Sequence, residues 1–157
     1  MARRLLPWLA AAGLVALLDQ LTKLWALAAL APHRPVAVLP FLSWTLVFNP
    51  GAAFSFLAGA GGWQRWLLAG AALAIAAALL VWLARLPARG QRLEKTALAL
   101  VLGGALGNLI DRLARGHVVD FVDLHWGSWH FPAFNLADSA ITLGAFLLLW
   151  RAFIPGR

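Results

Sequence analysis

Residues 66–86 read WLLAGAALAIAAALLVWLARL, an apolar stretch with no charged residue before Arg85. A helix crosses a bilayer with roughly 17–25 residues at about 1.5 Å each, so this stretch is long enough to span one. Three further apolar stretches, at 5–31, 96–113 and 138–154, are candidate spans of the same kind. The 157 residues are 62% hydrophobic and 12% charged, whereas about a quarter charged is usual for soluble domains. The sequence therefore predicts a single polytopic membrane domain over residues 1–157, mainly α-helical, with four transmembrane helices.

The basic residues predict how these spans are oriented. With four spans, the clusters within residues 3–4, 85–95 and 151–157 fall on one side of the membrane. By the positive-inside rule that side is the cytoplasm, so both termini are expected there. The net charge of +7 is scattered over these segment ends and does not indicate nucleic-acid binding. The chain has no cysteine, which excludes disulfides, a thiol nucleophile and a cysteine-bound metal.

The segment between the first two spans changes to the periodicity of strands. Residues 36–39 and 42–49 are rich in β-branched and aromatic residues, and Trp44, Leu46 and Phe48 alternate with Thr45, Val47 and Asn49. Asn49-Pro50-Gly51 indicates a turn, and 52–56 a returning strand. We expect a small extracytoplasmic β cradle over about residues 36–56. The glycine-rich residues 58–62 that follow are either a plain linker or a flap.

Polar residues of three spans reach one level in the membrane. Counted from the inner end of its own span, each of Asp19, Asn108 and Asp138 lies about 20 Å up the helix axis. Such agreement in depth is expected of a site. Lys23 lies one turn from Asp19 on the same face, so the two can pair. Pairing alone offsets the cost of burying both charges, and a purely structural ion pair therefore remains open.

The third span combines glycines with polar side chains. Gly103, Gly104 and Gly107 allow another helix to approach closely, and the Asn108 side chain can form a hydrogen bond to a neighbouring helix. Helix packing explains these residues without catalysis. It explains Arg112 less well, because an arginine at the outer end of a span can bind a carbonyl or phosphate as a fork, or hold Asp111.

Asp120 and Asp138 flank a short aromatic loop in a chain with few acids. A single aspartate at either position could be a loop residue or a helix cap, and Asp138 fits the first turn of the last span. Two carboxylates that converge at the membrane surface indicate acid–base chemistry on a shared water. Asp123 is expected to be solvated or paired with Arg115.

Other catalytic classes find little support. The histidines at 117, 125 and 130 lack the spacing of a metal-binding motif, and no serine lies in a Gly-x-Ser-x-Gly context.

Five local patterns together resemble the lipoprotein signal peptidases, the signal peptidase II family of membrane aspartyl proteases. The patterns are DQLTK at 19–23, NPGAAF at 49–54, GGALGNLIDR at 103–112, VVDF at 118–121 and FNLAD at 134–138. Their order and their placement on four spans make the combination specific.

The resemblance implies an aspartic endopeptidase of the bacterial inner membrane, with its active site near the outer face. It would remove the signal peptide from prolipoproteins by cleaving before the diacylglyceryl-modified cysteine, without metal or cofactor. By position, Asp120 and Asp138 match the family's catalytic pair. The residues matching its substrate-binding and site-shaping positions are Asp19, Lys23, Asn49, Gly51, Gly104, Asn108, Arg112 and Asn135. Membrane lipids are expected as partners, and inhibitors of the globomycin type are expected to bind.

Two other functions stay open on the residues alone. A small transporter or proton-relay subunit could use Asp19, Lys23 and Asp138 as relay groups. A scaffold could bind lipid headgroups through Arg112 and Arg115.

Overall fold

The computed structural model of the chain describes residues 2–32, 34–51 and 61–153. Within these ranges lie four helices and four strands. The helices are α1 (Ala2–Ala29), α2 (Gln64–Arg85), α3 (Arg92–Ala114) and α4 (Leu136–Phe153). The strands are β1 (Val36–Leu39), β2 (Leu42–Asn49), β3 (Val118–Trp126) and β4 (Trp129–His130).

All four helices are long and apolar enough to cross a membrane. Each matches a predicted span to within a few residues, and the fold class predicted from the sequence is confirmed. Residue 154, the end of the last predicted span, lies outside the described residues.

Helix α3 is the centre of the bundle and packs against each of the other helices. Of an apolar stretch of 18 residues in α3, 61% are buried inside the protein. The corresponding stretch of each of the other three helices is 17% buried. The outer surfaces of α1, α2 and α4 carry exposed leucines and aromatic side chains, as expected of faces that meet lipid.

Close approach of the helices depends on glycines of α3. A Cβ at Gly103 would lie 2.6 Å from Ala12 O of α1, and one at Gly104 would overlap Ala137 O of α4. Both obstacles are backbone atoms, which cannot rotate away. The predicted role of these glycines in helix packing is confirmed.

The strands form one antiparallel sheet in the order β1-β2-β3-β4, at the end of the bundle where α3 ends and α4 begins. The register of β2 against β3 shifts between Trp44 and Val47, so the alternation of buried side chains changes phase there. The two predicted strands at 36–39 and 42–49 are confirmed, whereas the returning strand at 52–56 lies outside the described residues.

Strand β3 extends the sheet beyond the expected β region of 36–56. Its first four residues are all buried, and its acids Asp120 and Asp123 are three positions apart. The strand therefore lacks the alternation of period two that marks a half-exposed strand in a sequence.

Candidate active site

Asp138 belongs to a reciprocal cap at the start of α4. Its backbone N–H donates to Asn135 Oδ1 (3.0 Å), while its Oδ2 accepts from the backbone N–H of Asn135 (3.2 Å). This is the geometry of a capping box, in which the residue before the helix and the third helical residue satisfy each other. The interpretation of Asp138 as a first-turn residue is thus confirmed, and it is compatible with a second role for the same carboxylate.

Asp120 is held from both sides by asparagine side chains. Its Oδ1 accepts from Asn135 Nδ2 (2.7 Å) and its Oδ2 from Asn49 Nδ2 (3.2 Å), with Asn49 on the neighbouring strand β2. Asn135 therefore donates to both carboxylates, through its side chain to Asp120 and through its backbone to Asp138. The two acids converge on one fully buried residue.

Asn108 connects Asp138 to the ionic residues below it. Its Nδ2 donates to Asp138 Oδ1 (2.8 Å), and its Oδ1 accepts from Lys23 Nζ (2.8 Å) and from Asn135 Nδ2 (3.2 Å). The three residues that the helical rise placed at one depth, Asp19 among them, are thus joined through Lys23.

Lys23 is fully buried and forms two ion pairs. Its Nζ lies 2.8 Å from Asp19 Oδ2 and 3.0 Å from Asp111 Oδ2, and both carboxylates are fully buried as well. The predicted pairing of Asp19 with Lys23 is confirmed. Because a buried charge without a partner is expensive, these three residues hold one another in place.

Each of the two paired acids also fixes the backbone next to a site aspartate. Asp19 Oδ1 accepts from the N–H of Ala137 (2.9 Å), the residue before Asp138. Asp111 Oδ2 accepts from the N–H of Val119 (3.0 Å), the residue before Asp120. We call Asp19, Lys23 and Asp111 the charged cluster. Its two acids hold the backbone next to both site aspartates and so determine where the site carboxylates lie.

Arg112 joins α3 to the turn after β2. Its guanidinium donates to Gly51 O (3.1 Å) and Asn108 O (3.3 Å), and Asn49 Oδ1 accepts from the Gly51 N–H (3.0 Å) in the expected turn. Of the two alternatives for Arg112, binding a carbonyl is the one seen.

Asp111 pairs instead with Arg115 (2.6 Å). Both alternatives predicted for Asp123 are wrong, since Asp123 is only 7% exposed and Arg115 pairs with Asp111. Asp123 lies 2.9 Å from His130 Nδ1, because the β3–β4 hairpin brings His130 back towards it.

The pKa of Asp120 differs from that of an ordinary aspartate. Burial, and next the nearby charge of Asp138, raise the pKa of Asp120 from 3.8 to about 7, although the hydrogen bonds from Asn49 and Asn135 oppose the rise. A carboxyl group whose pKa is raised this far can keep its proton near neutral pH, as a proton donor in acid–base catalysis must.

A cavity of about 890 Å³ opens beside the two acids. One wall comes from the sheet and the segment 131–134, the other from α4 between Asp138 and Phe146. Five predicted site residues line it: Asn49, Asn108, Arg112, Asp120 and Asp138. The other five, Asp19, Lys23, Gly51, Gly104 and Asn135, are buried and are not among the lining residues.

Asp111 and Gln20 were missed as site residues. Gln20 Nε2 donates to Asp111 Oδ1 (3.0 Å) and to Gly107 O (3.1 Å), so it joins α1 to α3 within the charged cluster. The spacing of Asp111, three residues after Asn108, was a signal of a shared helix face.

Comparisons with known proteins agree on one family. The family described as Signal peptidase (SPase) II matches residues 11–154. The chain is 58% identical over 150 residues to the lipoprotein signal peptidase of Pseudomonas aeruginosa strain UCBPP-PA14, covering 94% of this chain and 88% of that protein. It is 52% identical over 152 residues to the lipoprotein signal peptidase of Shewanella baltica strain OS155, covering 97% and 88%.

Solved structures show the same fold. A bacterial membrane enzyme determined by the in meso method superposes with a TM-score of 0.83 at 32% identity, covering 93% of this chain and 87% of that one. A second, also determined in meso, gives a TM-score of 0.82 at 31% identity, covering 96% and 94%.

Proposed function

The chain belongs to the signal peptidase II family, and on this basis we propose that it removes the signal peptide of prolipoproteins with Asp120 and Asp138 as its catalytic pair. It is a multi-pass membrane protease of the lipoprotein signal peptidase type. The observation that supports the catalytic pair is the convergence of both carboxylates on Asn135 at the wall of one cavity.

The roles of the two acids follow from their surroundings. Asp120 carries the proton, in keeping with its pKa of about 7. Asp138 carries the negative charge, which the N-terminus of α4 and the donor Asn108 Nδ2 stabilise. Two adjacent carboxylates that share one proton are able to donate and accept in the same step.

The proposed reaction needs only the two acids and water. Asp138 takes a proton from the water, and the oxygen of that water attacks the scissile carbonyl carbon. At the same time Asp120 gives its proton to the carbonyl oxygen. In the second step Asp138 protonates the amide nitrogen and the C–N bond breaks. Asp120 recovers a proton from a hydroxyl of the diol as the new carboxylic acid forms. Both acids return to their starting states, and one water is consumed.

The buried residues are proposed to position these acids without touching the substrate. Asp19 and Lys23 lie beneath the site with no exposed surface, and Gly104 of α3 packs against the backbone of α4 at Ala137. Substrate contacts are assigned to the predicted residues on the cavity wall, above all Asn49 and Arg112, which can bond an extended backbone. Gly51 shapes the turn that carries Asn49.

The substrate is proposed to be a prolipoprotein with a diacylglyceryl-modified cysteine, cleaved just before that residue. Its signal helix lies along the membrane, its acyl chains remain in lipid, and its scissile segment enters the cavity between the sheet and α4. The termini are assigned to the cytoplasm and the site to the outer face of the bacterial inner membrane, in keeping with the basic residues at the inner segment ends. Inhibitors of the globomycin type would occupy the same cavity. No observation favours a transporter or proton relay, since Asp19 and Lys23 are already paired to each other.

Cleavage of a diacylglyceryl-modified precursor by purified protein in detergent tests the assignment. Asp120→Asn and Asp138→Asn should each abolish turnover while the protein remains folded, because Asn keeps the size of the side chain but cannot exchange the proton. Asp123→Asn is the matched control on the same strand and should stay active, since Asp123 pairs with His130 and does not line the cavity. A chelator should have no effect on the parent protein. Undiminished cleavage by either of the first two variants would exclude the assignment.

A further inference from the structure

Two hairpin tips lie side by side at the end of the sheet farthest from the acids. One is the β1–β2 connection with Leu39 and Phe41, and the other is the β3–β4 connection between Trp126 and Trp129. The N–H of His125 donates to Phe41 O (3.0 Å) and ties the tips together. We call Leu39, Phe41, Trp126 and Trp129 the tip patch.

The tip patch exposes large apolar side chains. Trp126 is 80% exposed and Trp129 63%, while Leu39 and Phe41 are 46% and 45% exposed. Neither the segment 39–41 nor the segment 126–129 contains a charged residue. Contiguous exposed apolar groups of this kind mark a contact with a membrane or another protein.

Aromatic side chains of β2 and β3 pack against Trp25 on the exposed surface of α1. Trp25, near the end of α1 and 44% exposed, makes edge-to-face contacts with Trp44 of β2 (ring centroids 5.6 Å apart) and Phe121 of β3 (6.1 Å). Exposed leucines continue from Trp25 down the same helix at positions 14, 17, 18, 21 and 24. The apolar surface that meets lipid on α1 is thus continuous with the sheet.

We propose that the tip patch is embedded in the lipid leaflet on the active-site side of the membrane and fixes the depth of Asp120. Tryptophan is the residue type that favours this interface, because its ring is apolar and its N–H can bond to headgroups or water. Trp126 and Asp120 share strand β3 and are six residues apart, about 20 Å along the strand. An anchored tip therefore holds the strand at a set height, and with it the acid that acts on a substrate fixed in the same bilayer. The proposal rests on the proposed location of the active site but not on its chemistry.

Because the chain has no cysteine, a single spin label can report the position of the tip directly. Ser128→Cys carries the nitroxide between the two tryptophans, and the full-length protein is placed in lipid nanodiscs. Arg89→Cys in the exposed inner loop gives the aqueous reference, and Leu73→Cys on the exposed face of α2 gives the lipid reference. The label at 128 should collide with oxygen more, and with a water-soluble nickel complex less, than the label at 89. Collision rates equal to those at 89 would overturn the proposal, and so would dipolar broadening between labels at 128, which would assign the patch to a second copy of the chain.

Cleavage by a Trp126→Ser/Trp129→Ser variant tests the consequence for the reaction. In nanodiscs its kcat/KM should fall roughly tenfold, since a misplacement of about 1 Å can cost up to about a hundredfold. In detergent, where no bilayer sets the depth, it should match the parent protein. Trp150→Ser, at an exposed tryptophan near the other end of the bundle, is the control and should not fall in either medium. Equal losses of the tip variant in both media, or no loss in nanodiscs, would contradict the depth-setting role. A parent protein that does not cleave at all would count against the proposed function, and the spin-label result would still stand.

Discussion

Substitution of Gly104 by Ala tests whether this glycine packs helices or contacts substrate. The added Cβ would overlap Ala137 O and lie 2.8 Å from Ile141 Cγ1, whereas relaxed carbon contacts are about 3.5–4.0 Å. Helices α3 and α4 must therefore separate by roughly 1 Å at this level. Asn108 lies one turn further along α3, so its 2.8 Å bond to Asp138 would stretch beyond hydrogen-bonding range.

The expected magnitudes follow from this displacement. Overpacking costs about 1–3 kcal/mol of folding free energy, less roughly 0.5–1 kcal/mol regained because alanine favours a helix. Misalignment of Asp138 should lower kcat by up to about a hundredfold. The assays are cleavage of the lipidated precursor and thermal unfolding, both in the same detergent.

Gly144→Ala is the matched control on the same helix interface. Its Cβ would lie 2.7 Å from Ala97 O, so a similar loss of stability is expected. The position is six residues beyond Asp138, about 9 Å along α4, and the loss of activity should be much smaller. If Gly104→Ala loses activity with unchanged stability, the packing role is refuted and a direct substrate contact is favoured.

Three further predictions concern charge. Because the pKa of Asp120 is about 7, kcat/KM should fall about tenfold per pH unit above that value as the acid pair loses its last proton, and a profile that is flat to pH 9 would contradict the assignment of the proton. The same raised pKa means that the folded state binds more protons than the unfolded chain between about pH 4 and 7, so the contribution of Asp120 to stability is lost as pH rises through that window. Lys23→Met should lower the free energy of unfolding by about 3–5 kcal/mol, because Asp19 and Asp111 would remain buried without their shared cation. Unfolding of this variant within about 0.5 kcal/mol of the parent protein would show that the ion pairs are not needed for stability.

The membrane spans and the level of the polar residues were predictable from the sequence. Apolar length determines a span, and a fixed rise per residue places Asn108 and Asp138 at one level of the membrane, where the structure joins them by a hydrogen bond. Residues four apart on one helix, such as Asp19 and Lys23, were predictable for the same reason.

Contacts between distant segments were not predictable in this way. Strand β3 was overlooked because burial on both faces removes the alternation that marks strands. The partner of Asp123 depends on the turn at residues 127–128, which brings His130 opposite His125 and within 2.9 Å of the Asp123 carboxylate. The sequence shows Asp111 only as a neighbour of Arg112, whereas its bond from the Val119 N–H depends on how the chain turns after α3.

The position of Asn135 between the two acids has a consequence for turnover and for inhibition. Its backbone and side-chain N–H groups hold Asp120 and Asp138 in one arrangement, so the fold itself brings the two acids together. The conformational entropy lost when the two acids are fixed relative to each other is lost when the first turn of α4 folds, and not during catalysis. A compound shaped to fit the acids as they stand gains affinity without reorganising them, whereas a substitution that loosens the first turn of this helix would weaken inhibitor and substrate alike.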